Sequence, residues 1–121
     1  MGTAALNERG NAGASATTLI PWTGPLDVET VPRYEERLSP YLRKPDQTIV
    51  LDFRRVDYID SAGLRFLLAL KEQVAEFHDR IILVIPQESR VERTIRLVGF
   101  DQQFEVVRHP AEAWRPRRET Q

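Results

Sequence analysis

Five consecutive residues, Ile81-Ile-Leu-Val-Ile85, are apolar without a break, and four of them are β-branched. A run of strand length that is apolar at every position predicts a strand covered on both faces, as strands of parallel sheets are. Thr48-Ile-Val-Leu-Asp-Phe53 is a second β-branched-rich run, and a helix from about Ala62 to Phe77 is expected between the two. Leu19-Ile-Pro-Trp22 is a shorter apolar run in which Pro21 points to an edge or an end of a sheet, and Gly24-Pro25 reads as a turn. Val31, Tyr34 and Leu38 share one helical face, with Glu35, Glu36 and Arg37 opposite, and Pro40 ends or kinks that helix. Ser89 and Glu92 have the spacing of a capping box before a helix whose core face is Val91, Ile95 and Val98, with Gly99 as its left-handed stop. Phe104 to Val107 is a last short strand, and Ala111 to Trp114 a short final helix. This β-α-β-α-β-α-β-α order predicts one α/β domain, a small and mostly parallel β-sheet with alternating helices.

A chain of 121 residues has room for one such domain. It is expected over residues 18–114. Residues 1–17, mostly Gly, Ala, Ser, Thr and Asn, read as a flexible segment, and 115–121 as a polar tail. Composition removes several function classes. The net charge is −1, so no basic excess points to direct nucleic-acid binding. Without cysteine there is no disulfide framework, thiolate zinc site or cysteine nucleophile. Apolar runs fall far short of the roughly 20 residues that span a bilayer, and no basic-then-apolar leader precedes them, so neither membrane insertion nor export is expected and the location reads as cytoplasmic. His78 beside Asp79, and His109 alone, lack a ligand spacing, and Gly24 before Pro25 makes no phosphate cradle, so neither metal nor cofactor is expected.

The segment with unusual chemistry is Val56-Asp-Tyr-Ile-Asp-Ser-Ala-Gly-Leu64. A strand ends, an acid and a hydroxyl follow, and small residues open a helix. Ser61 is placed as the N-cap. Ala62 and Gly63 are small where larger residues would make a better first turn, which leaves the Ser61 hydroxyl open to approach. Helix N-termini tolerate phosphate, whereas Asp60 would repel it. On the helical wheel Phe66, Leu67, Leu70, Val74 and Phe77 face the core, while Arg65, Glu72 and Glu76 face water. Leu64 and Leu68 sit at the shoulder, angularly close to Ser61. They either widen the core stripe or form a small apolar contact surface with Arg65 on its rim.

The stretch Ile49-Val-Leu-Asp-Phe-Arg-Arg-Val-Asp-Tyr-Ile-Asp-Ser-Ala-Gly-Leu64 resembles the signature of STAS domains, which include the bacterial anti-sigma factor antagonists. The likeness extends from about Thr18 to Trp114. Gly24-Pro-Leu-Asp27 resembles the family's G-x-L-D turn, and Val98-Gly-Phe100 its hydrophobic-Gly-hydrophobic step. The resemblance implies partner switching. The unmodified domain binds an anti-sigma factor that is also a serine kinase, and so frees the sigma factor for transcription. The kinase then phosphorylates the serine of the Asp-Ser pair, and a phosphatase reverses the loss of binding. Carried onto this chain, Ser61 is the phosphoacceptor, Asp27 and Asp60 match acidic positions near the kinase, and Gly63 and Leu64 match the start of the interface helix. Ala62, Arg65 and Leu68 complete the expected partner surface, Arg65 at a position often small in relatives. The family often carries a further strand before the one at Leu19, and residues 1–17 show no strand pattern; an open edge there would allow pairing with a partner or a second copy.

Two other readings compete. STAS-like domains also act as non-switching accessory subunits of signalling assemblies or membrane transport complexes. From another class, Ser61, Asp101 and His109 follow the chain order of an α/β-hydrolase triad. A nucleophile elbow, however, needs glycine two residues before the serine, and Ile59 stands there. The protein is therefore expected to be a binding partner and a kinase substrate, not an enzyme.

Overall fold

A computed structural model describes residues 16–42, 44–76 and 80–114. Four strands, β1 (Ala16–Leu26), β2 (Gln47–Ile59), β3 (Arg80–Val84) and β4 (Glu105–Val107), lie in the order β1-β2-β3-β4. Every pairing is parallel. Between them run α1 (Val31–Leu38), α2 (Ser61–Ala75) and α3 (Arg90–Leu97), with 3-10 turns at Ser39–Tyr41, Phe100–Gln102 and Pro110–Trp114. The expected α/β order is present, and the Ile81–Ile85 run is buried throughout, as its composition required. Ile81, Leu83 and Ile85 belong to the main core, to which all three helices contribute. Ile82 and Val84 face the other way, onto Val50 and Ala113 of the last 3-10 turn. Both faces of the strand are thus covered, one by helices and one by a turn. Among the described residues no helix is long and apolar enough to cross a membrane.

The main core centres on Trp22, which is fully buried. Its ring lies 4.3 Å from that of Tyr34, 5.1 Å from Phe53 and 5.8 Å from Phe66, so β1, α1, β2 and α2 meet on one indole. The Tyr34 hydroxyl then donates to the Thr23 carbonyl at 2.6 Å and accepts from the Thr23 N–H at 3.2 Å, stitching α1 to β1.

Pro21 lies on an edge strand, as its missing N–H demands. Gly24-Pro25 is not a turn but the distal part of β1. Gly24 has φ +82°, and the register slips between Gly24 and Pro25 and again between Pro21 and Thr23. In each case β2 carries one residue more than β1: Asp52 to Arg55 oppose Pro21 to Thr23, and Val56 to Tyr58 oppose Gly24 to Pro25. Such bulges sharpen twist and break alternation. They also lengthen β2 well past the expected end at Phe53, to Ile59. Since β3 pairs only with Thr48–Asp52, the distal halves of β1 and β2 continue as a two-stranded ribbon beyond β3. The ribbon ends at the Asp60-Ser61 turn.

At that end, the Asp60 N–H donates to the Leu26 carbonyl at 3.2 Å, so the β2–α2 turn hangs on the last residue of β1. The first turn of α2 presses onto the same carbonyl. Gly63 is buried there, and a Cβ on it would fall well inside contact distance of the Leu26 carbonyl oxygen and 3.0 Å from side-chain carbons of Leu26 and Ile59. Gly63 is small because backbone approaches backbone, not because it uncovers Ser61.

Further along the chain, Ser89 Oγ accepts from the Glu92 N–H at 3.0 Å, as expected of the cap. The Glu92 carboxylate returns to the Glu88 N–H at 2.8 Å rather than to Ser89, because Glu88 takes a left-handed φ of 63° that aims its amide at the helix. Val91 and Ile95 are buried as expected, whereas Val98 is exposed, since it follows α3 and Gly99 turns the chain away at φ +78°. The strand expected at Leu19 already begins at Ala16; the remaining expectations for residues 1–15 and for the 115–121 tail fall outside the described residues, as does the core placement of Phe77.

Asp52 is a buried acid in the centre of β2. The Arg54 guanidinium chelates it, Nε to Oδ1 at 3.0 Å and the terminal nitrogen to Oδ2 at 2.8 Å, and the Arg54 N–H adds a third bond at 3.0 Å. Burial pushes this carboxyl up, but the hydrogen bonds and charge of Arg54 outweigh it and hold Asp52 below its ordinary value. A depressed folded-state value means stability that is present above the unfolded carboxylate range, near 3.9, and is lost as pH falls through the folded value.

Acid titration followed by circular dichroism is expected to show less loss of stability between neutral pH and pH ~3 in Asp52→Asn than in the parent; an identical pH dependence would contradict the pairing. Gly63→Ala is expected to lower unfolding stability in urea by about 2–4 kcal/mol, because a strand carbonyl cannot move aside as a flexible side chain can. Gly24→Ala, with open space around the new Cβ, should cost only about 1 kcal/mol from its left-handed φ.

Candidate functional site

Three chain segments converge at the distal end of the β1–β2 ribbon: the Asp27–Thr30 loop leaving β1, the Asp60-Ser61 turn leaving β2, and the first turns of α2. Leu26 pairs with Ile59, so the two loops depart side by side.

The N-cap of α2 is Asp60, not Ser61. Asp60 is extended, with φ −103° and ψ −173°, and its Oδ1 accepts from the Gly63 N–H at 3.0 Å. Both residues are good caps by type. The hydrogen bond from Asp60 N–H to Leu26 decides between them, because it fixes Asp60 in the strand-like geometry a cap needs and pushes Ser61 into the first helical position. As a result Ser61 is exposed, and capping makes no use of its hydroxyl.

Asp27 performs local work as well. Its Oδ1 accepts from the Glu29 and Thr30 N–H groups, both at 3.0 Å, while the Thr30 hydroxyl accepts from the Asp27 N–H at 2.9 Å and donates to the Pro25 carbonyl at 2.9 Å. This interlocked turn sets the start of α1 and leaves the loop tip standing out. At the tip is Val28, 68% exposed. Tyr58, at the end of β2, is 47% exposed. Neither was singled out from the sequence. For Val28 the signal was available, a lone β-branched residue among Asp27, Glu29 and Thr30; for Tyr58 it was hidden by the bulge at Asp57.

The other expected site residues divide into surface and support. Arg65 and Leu68 are exposed, Ala62 and Leu64 are half-buried, and Gly63 is buried. Leu64 packs against the main core while Leu68 is exposed, so the two shoulder leucines differ: one widens the core stripe, the other contributes apolar surface. Ser61, Leu68, Val28 and Tyr58 together give this end of the molecule a hydroxyl beside scattered apolar side chains. Around them lie carboxylates: Glu29 and Asp57 are exposed, and Asp27 and Asp60 are half-buried.

The hydrolase arrangement does not assemble around Ser61. Asp101 lies before β4 and His109 after it, and β3 stands between β4 and β2, the strand that leads to Ser61.

A family model described as STAS domain matches residues 5–113, beginning ahead of the domain start expected at residue 18. A Bordetella bronchiseptica protein described as an anti-sigma factor antagonist, BtrV, is 32% identical over 73 residues. That match takes in 60% of this chain and 62% of the relative, so the chain spans less than two thirds of the relative's length. Among solved structures, a Thermotoga maritima protein described as an anti-sigma factor antagonist superposes with a TM-score of 0.71 at 21% identity, over 80% of this chain and 83% of the other. The Bacillus cell fate determinant SpoIIAA in its phosphorylated form gives 0.60 at 22% identity, over 83% and 89%. A sulfate transporter family protein from Wolinella succinogenes gives 0.69 at 20% identity, over 80% of each chain. At these identities the superpositions establish the fold, which proteins of different duties share. With nine tenths of its length matched by one family model, the chain belongs to the STAS domain family.

Proposed function

We propose that this protein is an anti-sigma factor antagonist that works by partner switching. Unmodified, it binds an anti-sigma factor with serine-kinase activity; phosphorylation of Ser61 ends that binding, and a phosphatase restores it. The observation that carries the reading is the division of labour in the Asp60-Ser61 pair, in which the acid caps the helix and the hydroxyl stands exposed and unused in capping. Family membership and the name borne by the Bordetella relative support it.

Chemically, the kinase supplies the reaction and this chain the acceptor. The Ser61 oxygen attacks the γ-phosphorus of ATP, ADP departs, and the hydroxyl proton passes to the kinase's base. The product adds a charge of about −1.5 to −2 at one point. Within this chain the new group meets the positive end of α2, whose dipole favours it. The partner meets it differently. An interface of ordinary size buries about 800 Å² per side, and its energy concentrates in a few central contacts. A dianion placed among such contacts without a cation costs several kcal/mol, and about 1.4 kcal/mol is already a factor of ten. Binding is abolished with no need for the fold to change.

Incubation with the cognate kinase and ATP, followed by intact mass, is expected to add one phosphate to the parent and none to Ser61→Ala. Ser61→Asp is expected to weaken capture of that partner at least tenfold while Ser61→Ala retains it. Equal transfer to Ser61→Ala would reject the acceptor assignment. A partner held equally by the parent and by Ser61→Asp would instead favour a non-switching accessory subunit.

A further inference from the structure

The geometry points to Arg65 as the internal counter-ion of a phosphate on Ser61: the two residues form an i, i+4 pair on the exposed face of α2, ready to close into a phosphate–guanidinium bridge when the hydroxyl is modified. The inference rests on the Ser61 reading above and adds to it a role for a residue of this particular chain.

Ser61 is the first residue of α2 and Arg65 lies four further on, both exposed. Residues at this spacing have Cβ atoms about 5–6 Å apart, a gap that a phosphoserine and an arginine side chain readily bridge. The order also matters: an anion N-terminal to a cation is the favourable sense along a helix, since each end then opposes the dipole. Guanidinium matches phosphate in a two-pronged bond that an ammonium cannot reproduce.

Arg65 also lacks any competing partner on its own helix. The positions one turn away are Ser61 and Ala62 on one side and Leu68 and Ala69 on the other, so the sole neighbour able to become an anion is Ser61. Among the described residues Arg65 takes part in none of the ion pairs, which lie at Arg54, Arg80, Arg96 and Arg108. The nearby carboxylates belong to other segments. Asp60 is held by the Gly63 N–H and Asp27 by its own turn, while Asp57 lies on β2 and Glu29 and Glu35 lie on the β1–α1 side. An uncommitted arginine in an acidic rim is a contact for a partner in the unmodified state. Once Ser61 carries phosphate, that arginine turns inward. Modification then does two things, adding a dianion to the rim and withdrawing its cation.

The test installs phosphoserine at position 61 during translation, so that it needs no kinase, and follows the phosphate's second ionisation by phosphorus NMR in the full chain. Asp27, Glu29, Glu35, Asp57 and Asp60 all raise this ionisation, and they are common to every variant compared. With Arg65 present the phosphate is expected to titrate about 0.3 to 0.5 pH units lower than in Arg65→Gln. Arg65→Lys should recover part of the shift, and about 1 M salt should erase most of it. Equal titration in the parent and in Arg65→Gln overturns the inference. Because the phosphate is installed directly, that failure is distinct from a failure of any kinase to modify Ser61.

Discussion

The packing of four elements on the Trp22 indole is the constraint from which the rest of this structure follows. An edge strand would ordinarily be the loosest part of a small sheet, and β1 has two prolines to weaken it further. The indole reverses that expectation, because it reaches inward from the edge and stacks with Tyr34 of α1, Phe53 of β2 and Phe66 of α2. Aromatic side chains bring large buried areas at small cost in rotamer freedom, so a cluster of this kind fixes the elements that bear it. With β1 and α2 both held, the Leu26 carbonyl and the first turn of α2 meet at a spacing that only glycine at position 63 permits. The placement of Ser61 is thus set by contacts well below the surface on which it stands exposed.

Much of this architecture was legible in the chain. Ile81–Ile85 is buried on both sides, the wheel separated Phe66, Leu67, Leu70 and Val74 from Arg65, Glu72 and Glu76, and Ser89 caps α3. These features depend on local period or on single residue types, which a sequence displays directly. Most of the features missed along β1 and β2 depend on a second strand. The run read as a strand stops at Phe53 because two bulges break the alternation through Arg54, Arg55, Asp57 and Tyr58, and a bulge is a relation between neighbours in space. Gly24-Pro25 looks like a turn for the same reason. At the site, Asp60 and Ser61 are equally good caps by type, and the hydrogen bond to Leu26 that separates them joins residues 34 apart in sequence. The role of Gly63 was misread because its close neighbour is a backbone oxygen on that same remote residue.

The two-stranded ribbon also explains why a site at the end of a sheet can be prominent in so small a domain. β3 and β4 stop short of it, so the distal halves of β1 and β2 present their loops clear of the other strands. Asp27 and Thr30 then spend their polar groups on one another, which leaves Val28 at the summit of a stiff loop. A surface of this kind is preorganised: little freedom is surrendered when a partner covers it, and the affinity lost to ordering is correspondingly small.

The order of the two residues at the cap has a wider consequence. Because the carboxylate closes the helix and the hydroxyl beside it does not, the atoms that hold the helix start and, under the proposed function, the atom that would take the phosphate are different atoms one residue apart. Under the proposed function, a phosphate on Ser61 would come and go without taking a hydrogen bond from the cap. Had the pair been reversed, with serine as the cap, each modification would have disturbed a capping hydrogen bond of the kind worth about 1 kcal/mol, and the fold would have lost stability whenever the mark was present.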